Sequence, residues 1–257
     1  VIKINLFDYM IKILIIILGS FCLPLNAEKL IVVFEHNPPF QMVRANGTGY
    51  GPVFDFAQKL HKYEDLDIQF EALPWARIIQ KEALKPNRLI LSISRTSNRE
   101  QNFIWLKQVY RGEQYIWKKA NMIDPKRILV AMERNSHKAE ILKRYYKPKN
   151  VYEFLDSQQA LEALLKGHVQ RYVGSVFGVH GKLAELGSDL DELQRLGAFK
   201  ASNTRKLGLY LALSKTSSDL VHKQLIQALT HPDMIKAVNS LIKDFETQEL
   251  SLIQSLN

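Results

Sequence analysis

Short apolar runs alternate with stretches of helical periodicity along most of the chain. The run LIVVF (30–34) is continuous, as expected of a strand covered on both faces. In PVFDFAQKLHKY (52–63), Pro52 suits a first helical turn and Val53, Phe56, Ala57 and Leu60 share one face. DIQFEAL (67–73) alternates like a strand, WARIIQKEAL (75–84) reads as a helix, and RLILSIS (88–94) as the next strand. This β-α-β-α-β order predicts an α/β fold with a mainly parallel sheet flanked by helices. The pattern then restarts. ILVAM (128–132) and VQRYVG (169–174) read as strands. HKAEILKRYY (137–146), DSQQALEALLKG (156–167) and VFGVHGKLAEL (176–186) read as helices, the last despite two glycines. A strand over LGLYLALS (207–214) and helices over 217–230 and 233–246 complete the series.

Two α/β units therefore follow one another in an interrupted order. YIWKKANMIDPKR (115–127) reads as a passage out of the first and AFKASNTRK (198–206) as a passage back. Lobe 1 is expected over residues 28–118 plus 205–257, and an inserted lobe 2 over 119–204, with the two passages as hinges. The 257 residues, 46% of them hydrophobic, are enough for two such cores. Lys3 and Lys12 precede ILIIILGSF (13–21), and Pro24 and Ala27 follow. That is the layout of a secretory signal over residues 1–27, cut after Ala27, which predicts a periplasmic protein. The run is too short for a membrane-spanning helix. Cys22, the single cysteine, falls inside the signal. A mature chain without cysteine has no disulfide, no thiol nucleophile and no cysteine-based zinc site.

Charge adds one constraint. The formal net charge is +9, of which the signal contributes +1 through Lys3, Lys12 and Asp8. The basic residues are scattered, which suits a small anionic ligand or a solvated basic surface better than nucleic acid.

Ligands of open parallel sheets bind beyond the carboxyl ends of the strands. In the first unit those ends carry EHNPPF (35–40), then Trp75 and Arg77, then Ser92, Ser94, Thr96 and Arg99. A guanidinium presents a planar fork of donors that fits a carboxylate, and hydroxyls complete the set. Phe40 and Trp75 offer faces for the apolar part of such a ligand. Other chemistries find little support. The seven histidines show no His-x-x-x-His pair with an intervening glutamate, GTGYG (47–51) lacks the dinucleotide pattern, and no Gly-x-Ser-x-Gly elbow occurs. No metal and no cofactor are expected.

The segments PPF (38–40), GTGYGPVFDF (47–56), PWARII (74–79), SISRTSNRE (92–100) and LYLALSK (209–215) carry a resemblance. Together with the two-lobed layout, they make the chain similar to bacterial extracellular solute-binding proteins of family 3, of the type II periplasmic binding fold. The resemblance covers nearly the whole chain after the signal. It implies a monomer, not an enzyme, that closes two lobes on a small carboxylate, an amino acid being one candidate, and delivers it transiently to a membrane ABC permease. It also implies that Arg99 clamps the carboxylate, that Ser92 and Ser94 line the same pocket and that Trp75 stacks on the ligand. Ser136, in Asn135-Ser136-His137, stands where the second lobe offers a donor loop, with His137 a weaker match. Amino-acid binders of the family usually hold the ligand's ammonium with an acid near the end of the strand that here precedes Ser175, and Gln170 replaces a common aspartate. The usual anchor is therefore missing, with Glu35 as a substitute from the first lobe. The rival readings are a dehydratase-like enzyme on the same fold, with Glu35 as its acid, and a sensor or interaction module. No helical linker to a signalling domain is apparent within the 257 residues.

Overall fold

A computed structural model describes residues 28–63, 66–200 and 204–256. The predicted signal, with Cys22, and residues 201–203 of the return passage lie outside them. In chain order the elements are β1 (Lys29–Phe34), β2 (Met42–Val43), β3 (Gly49–Tyr50), α1 (Pro52–Gln58), β4 (Asp67–Ala72), α2 (Trp75–Gln80), β5 (Arg88–Thr96), β6 (Phe103–Tyr110) and β7 (Tyr115–Lys119). Then come β8 (Val130–Glu133), α3 (Ala139–Tyr145), β9 (Val151–Phe154), α4 (Ser157–Leu165), β10 (Arg171–Gly174), α5 (Val176–Glu185), β11 (Leu193–Ala198), β12 (Thr204–Ser214), α6 (Asp219–Thr230) and α7 (Pro232–Ser255).

Two five-stranded sheets result. The first runs β4-β1-β5-β12-β6, with β4, β1 and β5 parallel and β12 antiparallel to both its neighbours. The second runs β11-β7-β10-β8-β9, with β10, β8 and β9 parallel. The apolar run of β1 splits between both faces of its sheet. Leu30, Val32 and Phe34 pack with α1, α6 and α7, while Val33 packs with Trp75, Ile78 and Ile93. The second sheet is covered likewise, by α4 and α5 on one face and by Ile141, Leu142 and Phe199 on the other.

One boundary differs from expectation. Tyr115–Lys119, read as the start of a passage, is a strand that pairs with β10 and β11 in the second sheet. The chain thus leaves the first sheet after Tyr110, eight residues before the expected edge at 118. Trp117, the fully buried centre of β7, draws the strand in: its Nε1 donates to Gly174 O at 2.9 Å. β6, β9 and β11 carry no clean alternation in the sequence and were not expected as strands.

Helix α7 ties the two units together. Met234, Val238, Leu241 and Phe245 recur at helical spacing on its buried face and enter the core of the first sheet. Two turns further, Leu252 and Ile253 pack against the core of the second. Between them, buried Glu249 accepts from Tyr110 Oη of β6 at 2.8 and 2.9 Å and from Phe177 N of α5 at 3.5 Å.

Candidate functional site

The carboxyl ends of the parallel strands of both sheets face one cleft. Val33 pairs with Ile90, and two residues further on stand Glu35 and Ser92. In the second sheet Glu133 ends β8, and Gly174 ends β10 just before Ser175. The cleft encloses a cavity of about 120 Å³ whose walls include Glu35, Trp75, Ser92, Ser94, Arg99 and Tyr110 from one side and Glu133, Ser136, Lys138, Ser175 and Lys182 from the other.

On the first side, Ser92 adopts a left-handed backbone conformation, φ 50°. Such a φ is uncommon for a residue with a Cβ and here breaks the strand geometry where the core gives way to the cavity. Its buried Oγ accepts from Gln41 Nε2 at 2.6 Å. Arg99 Nη1 donates to Ser94 O at 3.2 Å, and the guanidinium carbon lies 5.1 Å from the centroid of the Trp75 ring. That face-on placement adds a cation–π attraction. Trp75 Nε1 crosses the cleft to Asn135 O at 3.2 Å, and Arg99 Nη2 approaches the same carbonyl at 3.5 Å. Phe40 lines the cavity, but its ring belongs mainly to an aromatic cluster, with Tyr110 at 4.7 Å, Phe245 at 5.6 Å and Phe177 at 5.7 Å between centroids.

Arg77 is not at the cavity. Its side chain is 59% exposed, with Nε 3.9 Å from Glu82 Oε1. The reason is helical geometry. Trp75 opens α2 facing the cleft, and a residue two positions on points to nearly the opposite side.

On the second side, Ser136 Oγ lines the cavity, is shielded from solvent and has no hydrogen-bond partner among the described residues. Ser175 caps α5, its Oγ accepting from Gly178 N at 3.2 Å. Gln170 is engaged elsewhere, its Oε1 accepting from Leu129 N at 2.9 Å. Lys182, two turns along α5 from Ser175, is buried and donates to Asn37 Oδ1 at 2.8 Å and Pro38 O at 3.2 Å, across the cleft. Lys138 donates to Val173 O at 2.7 Å and Gln114 Oε1 at 3.2 Å. At the rim His36 Nε2 meets Glu185 Oε2 at 2.7 Å. These contacts join the two sides across the cleft.

The charges interact strongly. Burial, then the neighbouring Glu133 carboxylate, raises the Glu35 carboxyl well above its ordinary range. Burial raises Glu133 as well, but it accepts the hydrogen bond from Glu35 and has Lys182 and Lys138 near, both of which favour its charge. Glu35 is therefore the protonated partner. Burial, followed by Lys182, pulls the Lys138 ammonium down to about 8, and burial lowers Lys182 too. Burial, followed by Lys138 and Arg99, keeps His137 neutral. The walls thus set three basic groups, Arg99, Lys138 and Lys182, against one pair of carboxyls whose ionisation burial opposes, Glu35 more than Glu133.

Glu133, Lys138 and Lys182 escaped the sequence reading. The rule that located the first-lobe residues would have reached Glu133 and Lys138 if applied to the end of 128–132. Lys182 has only a spacing signal, seven residues from Ser175 on one helix face.

A family profile, "Bacterial extracellular solute-binding proteins, family 3", matches residues 30–254. No curated protein matches the chain in sequence. Solved structures match its fold. One, from the glutathione import system of Streptococcus mutans (GshT with the cystine ABC importer TcyBC), has a TM-score of 0.70 at 14% identity, over 85% of this chain and 95% of that one. A periplasmic His/Glu/Gln/Arg/opine family-binding protein from Silicibacter pomeroyi, in complex with lysine, has a TM-score of 0.68 at 17% identity, over 84% and 96%. The periplasmic sensor of the Borrelia burgdorferi hybrid histidine kinase Hk1 has a TM-score of 0.57 at 16% identity, over 80% and 99%. With two α/β lobes closing on one cleft and the profile spanning most of its length, the chain belongs to the family 3 bacterial extracellular solute-binding proteins.

Proposed function

We propose that the protein captures a small periplasmic solute of net negative charge, bearing at least one carboxylate, and presents it to an ABC-type importer. The observation that carries this reading is the make-up of the cavity wall: three basic groups, Arg99, Lys138 and Lys182, against two carboxyls, Glu35 and Glu133, whose ionisation burial opposes. Enclosing like charges favours a compensating anion. Arg99, held flat by Trp75 and Ser94 O, presents its fork to one carboxylate. Ser92, Ser94 and the unpartnered Ser136 Oγ supply hydroxyls beside it. Ser175 brings no charge to the position where relatives hold an ammonium. Acidic amino acids and dicarboxylates fit this wall better than lysine, the ligand in the Silicibacter pomeroyi complex.

Mass spectrometry of small molecules released from the purified, denatured protein tests the proposal. An anionic carboxylate, chemically unchanged, is the expected result. Recovery of lysine or arginine overturns the charge argument, and conversion of an added carboxylate to a product would make the protein an enzyme. A thermal-shift screen quantifies the preference, because ligand at a hundred times its dissociation constant adds about 2.7 kcal/mol of stability.

A further inference from the structure

The carboxyl ends of β8 and β10 face the cleft, so the amino ends of β8, β9 and β10 stand at the opposite pole of the second lobe. Helix α3 runs back between β8 and β9, which brings its last turn to that pole as well. Basic residues that are scattered in the sequence are gathered there by the fold. Lys126 and Arg127 precede β8, and Lys147 and Lys149 lie between α3 and β9; all four are exposed. Arg127 fastens the two segments together, its Nε donating to Asn150 Oδ1 and its Nη2 to Lys149 O, both at 2.9 Å. Residues 143–150 read KRYYKPKN, with four cations and no acid. The acids nearby are already engaged: Asp124 pairs with buried Arg171, Glu153 with Lys143 and Glu162 with Lys166. Among the described residues, no ion pair holds Lys126, Arg127, Lys147 or Lys149. Asp191 and Glu192 belong to the β11 edge, at the other end of the sheet from β9. Two apolar side chains stand among the cations. Ile123, in the loop between β7 and β8, is 92% exposed, and Tyr145, at the end of α3, is 69% exposed.

We propose that this pole of the second lobe is a docking surface for an anionic phospholipid bilayer. Its make-up fits lipid better than a protein partner. Lysine is depleted in protein interfaces, which are anchored by clustered aromatic and arginine side chains in well-packed pockets. Here lysines dominate and the apolar side chains stand singly. A fluid anionic surface needs no fixed complementarity. It attracts clustered cations over about one screening length, and isolated side chains such as Ile123 and Tyr145 enter its headgroup region. Attachment at this pole leaves the cleft, at the other ends of the strands, clear for the solute. The inference does not depend on which solute the cleft takes.

Co-sedimentation of the purified protein with lipid vesicles tests it. With vesicles of about one part phosphatidylglycerol to two of phosphatidylcholine, the protein should pellet at about 0.1 M salt. It should stay in solution at about 1 M, where the screening length falls from about 10 Å to about 3 Å. Vesicles of phosphatidylcholine alone should bind it about tenfold less or weaker still. The double variant Lys147→Glu, Lys149→Glu should lose about tenfold or more in partitioning to the anionic vesicles, with an unchanged thermal midpoint to show that it folds. Ile123→Ser should lose severalfold while keeping the same salt dependence. Equal pelleting with both lipids, or full pelleting of the folded double variant, overturns the proposal. So does a lack of pelleting with the anionic vesicles, the result expected if the patch takes an acidic protein instead.

Discussion

At the scale of single residues, the arginines of the first lobe separate cleanly. Arg99 packs on Trp75 and lines the cavity, whereas Arg77 is exposed beside Glu82. Arg99→Ala is expected to weaken carboxylate binding by roughly 2–5 kcal/mol, because the ligand's charge loses its fork in an enclosed site. Arg77→Ala should change affinity and stability by less than about 0.5 kcal/mol. Calorimetry on both variants checks the contrast, and equal affinities for the two would remove Arg99 from the site. The glutamate pair leaves its own mark on stability. Raised carboxyls bind a proton in the folded chain that the unfolded chain has already lost, so unfolding releases protons and stability falls as pH rises. The window opens near the ordinary glutamate value of 4.5 and runs up through the raised values. Glu82 and Asp124, whose carboxyls are lowered by Lys85 and Arg171, act in the opposite direction but only below that window. Glu249, raised by burial, adds to the fall. His137, lowered by burial, pushes the other way below its ordinary value of 6.5, as do Lys138 and Lys182 at higher pH, so the pair is read by difference: above pH 4.5 the thermal midpoint of the ligand-free protein should fall relative to that of Glu35→Gln as pH rises. An unchanged slope in that variant would mean that the pair holds no extra proton.

At the scale of elements, what the sequence revealed depended on how each strand is covered. β1 and β5 sit mid-sheet under helices on both sides, and their continuous apolar runs stood out. β9 and β11 are edge strands with half-exposed patterns, and β7 owes its place to one buried tryptophan, so nothing periodic marked them. The same asymmetry governed the site. Ser92, Ser94, Trp75 and Arg99 follow legible strands of the first sheet, whereas Glu133 and Lys182 depend on how the second sheet faces the first, which is a tertiary fact. Helix α5 shows both levels at once. Ser175 is its cap and also a cavity wall residue. Ser175→Ala should cost about 1 kcal/mol in denaturant unfolding, since Gly178 N loses its acceptor. Ser175→Asp keeps a good cap, so its stability should stay within a few tenths of a kcal/mol. It adds an acid to the cavity, however, and should move preference from glutamate toward neutral amino acids in a competition assay. Unaltered preference in a folded Ser175→Asp protein would place the ligand away from the start of α5.

At the scale of the whole molecule, closure brings α5 of the second lobe against the loop after β1. Gly181, the second of the two helix glycines, makes this possible. A Cβ at Gly181 would lie 2.4 Å from Pro39 Cδ and 2.6 Å from Pro39 N, far inside contact distance, and backbone cannot swing aside as a long side chain can. The glycine carries a cost in the helix itself, roughly 0.5–1 kcal/mol relative to alanine, which is tolerable if close approach is what it serves. Gly181→Ala should therefore have two effects of opposite sign. In the ligand-free protein, with the lobes free to part, the helix gains up to about 1 kcal/mol of stability. In the closed complex the added methyl must be accommodated, and overpacking of this kind costs about 1–3 kcal/mol, so ligand affinity should fall by that amount. Small-angle scattering supplies the geometric check. The unmodified protein should contract when saturated with ligand, as hinge closure requires, and the alanine variant should contract less. A variant that binds as tightly and contracts as fully as the unmodified protein would show that the Gly181–Pro39 contact is no part of the ligand-bound state.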